Sequence, residues 1–143
     1  MQRRTFIKQT SILTALASTQ TLASNQPVAK FPFVISTWKN EKANEAAWAS
    51  LQKTGRALDA VEAGARIPEA DTNDTSVGYG GLPDRDGNVT LDACIIKEKG
   101  NAGSVTFLQN IMHPISVARA VMEKTPHVML SGEGALQFAL SQG

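Results

Sequence analysis

The chain has 143 residues, 42% hydrophobic and 19% charged, the balance of an ordinary soluble globular protein with room for one domain and one core. Its formal net charge is +1, but Arg3, Arg4 and Lys8 fall in an acid-free leader, so the remainder carries 14 − 3 = 11 basic against 13 acidic residues, a net of −2. That excludes a basic stripe for nucleic acid or an anionic membrane, and a single cysteine, Cys94, excludes an internal disulfide.

Residues 1–23 read as an export signal. Arg3 and Arg4 precede Phe6, Ile7 and Lys8, a modest apolar run spans Ile12 to Ala17, and Ala15-Leu16-Ala17 and Thr21-Leu22-Ala23 each suit a signal peptidase. The apolar run is too short to cross a bilayer, which takes ~20 residues. Paired arginines ahead of a weakly apolar core resemble a bacterial twin-arginine signal, with Gln2 and Ile7 departing from its usual pattern. The expected destination is the periplasm or the exterior.

Beyond a linker around Pro27, Phe33 to Thr37 is β-rich and is expected as the first strand. Asn44 is expected to cap a helix through Lys53, with Ala47, Trp48 and Leu51 on its apolar face and Gly55 as its stop. Leu58, Val61 and Ala65 share the inner face of a second helix ending near Pro68, and Asp71 to Asp74 form a polar loop. The period then becomes two. Val89, Leu91, Ala93 and Ile95 fall on one face of a strand, and Thr90, Asp92, Cys94 and Ile96 on the other. Asp86-Gly87 and Lys99-Gly100-Asn101 are turn chemistry, and Gly103 to Phe107 return as an antiparallel partner. Pro114 opens a helix with Val117, Ala118, Val121 and Met122 inward and an Arg119–Glu123 pair outside, stopped by Pro126. Val128 to Leu130 read as a brief buried strand, and Gly134 to Ser141 as a last helix. This order predicts an α+β layered fold.

Most chemical motifs reduce to structure. Asp84-Arg85-Asp86-Gly87-Asn88 resembles the start of a calcium loop, but Ile95 stands where the bidentate acid is required, so a turn is expected. Gly78-Tyr79-Gly80-Gly81 lacks the Lys-Ser/Thr of a phosphate loop, and Gly132-Glu133-Gly134 lacks the third glycine of a dinucleotide motif. His113 and His127 have no second ligand at metal spacing, and no elbow exposes a serine for a Ser-His-Asp triad. Cys94 is expected as an inert small hydrophobe and Trp48 as core. Trp38, at a strand end among Lys39, Asn40 and Glu41, reads equally as binding or packing.

The stretch Ser76-Val-Gly-Tyr-Gly-Gly-Leu-Pro-Asp-Arg-Asp-Gly-Asn-Val-Thr-Leu-Asp-Ala-Cys94 is similar to the signature block of the glycosylasparaginase branch of the N-terminal nucleophile hydrolases. The resemblance extends to Ser36-Thr37-Trp38, Gly55, Leu58-Asp59-Ala60-Val61, Gly103-Ser104-Val105, His113 through Arg119, Thr125 through Leu130 and Gly132 through Ala135. It implies that residues 24–143 are the N-terminal portion of a four-layer αββα sandwich, incomplete in this chain. In that family a precursor cuts itself before a threonine, whose new amino group serves as its own base and whose hydroxyl attacks the side-chain amide of glycosylated asparagine, with no metal or cofactor. The resemblance places that threonine downstream, in a second (β) subunit, so no catalytic residue is expected here and the chain alone is expected to be inactive. It places Trp38 in the substrate cleft and Ser76 near the nucleophile. Implied partners are the glycosylated asparagine substrate, the β subunit, and a second α–β pair in a homodimer; no nucleic acid and, once the signal is removed, no membrane are expected. The plant-type asparaginase and isoaspartyl-peptidase branch shares fold and mechanism but tends to carry His-Gly-Gly-Ala-Gly where Val34-Ile35-Ser36-Thr37-Trp38 stands. A non-catalytic truncated fragment is the reading from a different class.

Overall fold

The computed structural model describes residues 31–143, so the export-signal and Pro27-linker expectations lie outside the described residues. The compact unit runs from Phe33 to Gly143. Its elements are α1 (Glu41–Thr54), α2 (Ala57–Ala70), a short 3-10 turn at Gly78–Gly80, β1 (Leu91–Ile96), β2 (Ala102–Leu108), α3 (Pro114–Lys124), β3 (Met129–Ser131) and α4 (Gly132–Ser141). The α+β expectation holds.

Helix α1 starts one turn earlier than expected. The Asn40 side chain accepts the N–H of Ala43 at 3.0 Å, and Asn44 lies inside the helix with its own N–H on the carbonyl of Asn40. Both asparagines are competent caps, and the one that also puts Glu41 in the first turn is used. The stop at Gly55 is as expected, its N–H meeting the carbonyl of Leu51 at 2.8 Å. The two helices pack through small residues: a Cβ added to Gly64 would stand 3.1 Å from that of Ala47 and 3.0 Å from the carbonyl of Ala43. That seam turns the bulkier side chains away. Trp48 is 39% exposed and Val61 53% exposed, so neither is the core residue that periodicity suggested.

The sheet order is β1-β2-β3, with β1 and β2 antiparallel and β3 parallel to β2 after the crossover through α3. Leu91 and Ile95 are buried on the inner face while Asp92, Cys94 and Ile96 face outward, which bears out the period-two reading. Cys94 is therefore an exposed thiol rather than a core hydrophobe. The pairing slips by one residue between Leu91↔Leu108 and Ala93↔Val105, a bulge in which Thr106 and Phe107 oppose Asp92. Phe107 takes a left-handed φ of 52°, held by the Asp92 carboxylate, which accepts its N–H at 2.8 Å and the Thr106 hydroxyl at 2.7 Å. Those bonds, the hydroxyl first, hold the Asp92 pKa below the ordinary range. The bulge lets Val105 and Leu108, three apart, both point inward.

Helix α3 lies against the inner face, with Ile115, Val117, Ala118 and Val121 joining Leu58, Ile95, Val105, Leu108 and Ala135 in one core. The approach is close enough that a Cβ on Gly103 would sit 2.2 Å from the carbonyl of Ala118. Arg119 departs from expectation. It does pair with Glu123 at 3.3 Å, but its side chain is only 15% exposed and turns into the α2–α3 seam. β3 is less buried than expected, with Val128 and Met129 exposed and Leu130 half-buried; α4 follows it directly, two residues earlier than its predicted start.

Candidate functional site

The stretch Phe33 to Thr37 forms no strand among the described residues. A strand is completed by a neighbour's N–H and C=O groups, and none is offered to it among the described residues. The segment instead ends in a local bend, with the Ser36 hydroxyl donating to the carbonyl of Trp38 at 2.7 Å. It runs along one side of a groove of about 630 Å³ whose other walls come from α1, α2 and the loop after α2. The small side chains that let α1 and α2 approach, among them Ala43, Ala47 and Gly64, also line this groove.

Trp38 and Ser76, distant in sequence, both line it. Trp38 is 78% exposed, so within this unit its indole is a groove wall and not core. Ser76 owes its place to Asp74, whose Oδ1 accepts both the Ser76 N–H at 2.9 Å and its hydroxyl at 2.5 Å. The hydroxyl, and then the N–H, hold the Asp74 pKa below the ordinary carboxylate range. Ser76 thus has a carboxylate beside it but no imidazole among its described partners, and no Ser-His-Asp triad is assembled. A largely apolar groove with an indole at one side and an Asp–Ser pair at another can seat a ligand and offer it hydrogen bonds. It does not itself supply an activated nucleophile.

The Ser76 loop is tightly fixed. Gly78 has φ +59°, and a Cβ there would fall 2.1 Å from the carbonyl oxygen of Glu69 at the end of α2. Only glycine satisfies both conditions. Gly78 and Tyr79 also border a second cavity of about 560 Å³ with Asn88, Gln109 and Asn110, so the same loop lies beside both openings. At Asp84, Oδ1 accepts the N–H groups of Asp86 and Asn88 at 2.8 and 2.9 Å, making this segment the turn that was expected.

Spacing gives no sign of Glu69, and offers His113 only as a metal ligand that lacks a second one. Glu69 is only 5% exposed; Oε1 accepts the N–H of Ile115 at 3.0 Å and Oε2 lies 3.2 Å from Nδ1 of His113. Burial drives the Glu69 pKa up to about 7 against the pull of the Ile115 N–H, and burial likewise lowers that of His113. Both shifts disfavour charge, so this is a hydrogen-bonded acid–imidazole pair rather than a fixed salt bridge. No local spacing signals a contact between residues 44 positions apart.

The asparaginase family model matches residues 16–143. An N(4)-(beta-N-acetylglucosaminyl)-L-asparaginase from Elizabethkingia miricola is 56% identical over 149 residues, spanning 99% of this chain and 44% of its own length. The mouse enzyme of the same name is 45% identical over 113 residues, 78% of this chain and 33% of its own. A plant-type L-asparaginase from Pyrococcus abyssi is 46% identical over 99 residues, 68% of this chain and 32% of its own. The chain thus spans less than half the length of these curated relatives.

Proposed function

Since the chain belongs to the asparaginase family, we propose that it is the N-terminal portion of a glycosylasparaginase, an amidohydrolase that releases the glycan from the side-chain nitrogen of asparagine. The observation that carries this reading is the shared groove of Trp38 and Ser76, the two cleft residues implied by the resemblance. In this reading they line two sides of the substrate cleft. A threonine outside these residues, freed by self-cleavage, supplies the nucleophile. Its hydroxyl adds to the side-chain amide carbon, the glycosylamine leaves with the proton held by the threonine's own amino group, and water resolves the acyl-enzyme to aspartate. In this reading the residues of this chain contribute positioning, and the catalytic group comes from that threonine.

The finer fold follows from the same proposal. The outward sheet face bearing Asp92, Cys94 and Ile96 suits a second sheet, as a four-layer αββα sandwich requires, and the unpaired Phe33–Thr37 segment suits a strand supplied by the β subunit. We further propose residues 1–23 as a twin-arginine export signal ahead of a domain starting at residue 24, a periplasmic or secreted destination, and a homodimer of α–β pairs. Undiminished export of a reporter after Arg3 and Arg4 are replaced by Lys would overturn the signal.

The relatives also include plant-type L-asparaginases and a probable isoaspartyl peptidase/L-asparaginase, which makes free asparagine and β-aspartyl peptides the second substrate reading. Aspartate release by the complete protein from glycosylated asparagine, free asparagine and a β-aspartyl dipeptide separates the two. Preference for the glycosylated substrate is expected. Preference for the dipeptide selects the second reading, and no release from any of them overturns both.

A further inference from the structure

Glu69 occupies a place that disfavours it twice over. It is an acid in the last turn of α2, where the carbonyl ends of the helix repel negative charge, and it is buried. What compensates lies on other elements. Oε1 takes the N–H of Ile115 at 3.0 Å, in the first turn of α3, whose positive end suits an acceptor, and Oε2 meets His113 at 3.2 Å. The backbone of the same residue is the surface against which Gly78 is pressed. Glu69 therefore joins the end of α2, the start of α3 and the loop that carries Ser76 into the groove.

We infer that Glu69 is a positioning residue for this site: its carboxyl locks α2 to α3, and its backbone, so fixed, sets where the loop holds Ser76 and Gly78. The activity part of this inference rests on the glycosylasparaginase reading; the structural part does not. Glutamine can replace the acid here, because its oxygen accepts from Ile115 and its amide donates to Nδ1 of neutral His113. Alanine leaves the Ile115 N–H without a partner, and the backbone at position 69, against which the loop packs, no longer tied to α3.

The test is hydrogen exchange at residues 76–81 together with kcat and KM on glycosylated asparagine, in the complete, self-cleaved protein. Glu69→Ala should speed exchange in the loop at least tenfold and raise KM about tenfold with a smaller change in kcat, and Glu69→Gln should restore most of both. Val121→Ala, which removes bulk from the core under the sheet, should lower stability without moving either readout. If Glu69→Ala does not fold, Glu69→Asp, which withdraws the carboxyl by one methylene, should shift both readouts in the same direction. Loop exchange equal to wild type in the folded variant, or the same loop loosening in Val121→Ala, overturns the inference. Absence of amidohydrolase activity in the unsubstituted protein sinks the glycosylasparaginase reading, and exchange alone then decides the role of Glu69.

Discussion

Arg119 and Asp59 meet at 2.7 Å across the seam between α3 and α2, and the other terminal nitrogen of the same guanidinium reaches Glu62 at 2.7 Å. Glu62 also takes the Ser116 hydroxyl at 2.6 Å, so one fork of donors and two carboxylates fasten the helices side by side. The hydrogen bond from Arg119 keeps the Asp59 pKa low. Burial works against the arginine's charge, but its bonds to Asp59 and Glu62 outweigh that and raise its pKa.

Arg119→Ala should cost about 2 kcal/mol, because it leaves two shielded carboxylates with only the more distant, more exposed Arg56 at 3.7 Å from Asp59 and Arg66 at 4.0 Å from Glu62. Arg119→Lys should recover only part of that, since an ammonium cannot serve two carboxylates with one planar fork. Chemical denaturation of the processed protein measures both. A loss under about 0.5 kcal/mol for the alanine variant would mean the cluster behaves as an exposed surface pair.

The pH dependence of Glu69 has a definite sign. Its carboxyl titrates near 7 in the folded protein against an ordinary 4.5. Below 4.5 it is protonated folded and unfolded alike; between 4.5 and about 7 the unfolded chain ionises first, so stability falls as pH rises, by on the order of 3 kcal/mol in all. His113, with its pKa lowered, loses stability in the opposite direction, as pH falls below its ordinary 6.5. Arg66 favours the ionised acid and Glu62 opposes it. Glu69→Gln isolates the carboxyl: its stability relative to wild type should climb through that window and stay flat on either side. A difference independent of pH would remove the buried acid from the account.

Two glycine substitutions should separate space from backbone strain. Gly78→Ala combines a positive φ with a Cβ 2.1 Å from a carbonyl oxygen, and should cost at least about 3 kcal/mol. Gly87→Ala, at φ +86° with nothing within 4 Å, should cost only about 1 kcal/mol. Equal losses in thermal unfolding would show that the Glu69 backbone yields to the intruding methyl.

For Trp38, its exposure in this unit predicts a loss of function without a loss of fold. Trp38→Phe in the complete enzyme should lower kcat/KM about tenfold, or ~1.4 kcal/mol of transition-state binding, with little change in Tm. If Trp38→Ala instead costs the ~3–5 kcal/mol of a buried aromatic while Trp38→Phe has normal kinetics, the indole is core in the complete protein and leaves the site.

What could be read from the chain and what could not divides by range. The helices, the β1–β2 hairpin and the Asp84 turn announce themselves through spacing and turn residues within about ten positions. Arg119 was misplaced because its i,i+4 partner Glu123 is visible in sequence while Asp59 and Glu62 are not. Trp48 and Val61 were misplaced because a helical stripe shows which residues are apolar, not which side of a small-residue seam they take. Trp38 and Ser76 came from resemblance rather than from spacing, and the groove they share is what the fold adds. Glu69 had no signal at all, since a lone acid at a helix end ordinarily faces water.

The bulge at Thr106 and Phe107 bears on how the chain can change in length. In a regular strand, losing one residue turns every side chain beyond it to the opposite face. Here the surplus residue is already present: deleting Phe107 would leave Val105 and Leu108 two apart and both still inward, with the pairing of Leu91 to Leu108 and of Ala93 to Val105 brought into one regular register. The cost would be confined to the bonds of Asp92 and the exposed ring. Deleting Ser104, two positions before the bulge, would instead make Gly103 and Val105 neighbours on opposite faces, and keeping Val105 inward would push the Ala102 methyl into the close seat that Gly103 keeps against Ala118. Within this hairpin, single-residue deletions among homologues should therefore gather at the bulge and be purged from the paired residues before it.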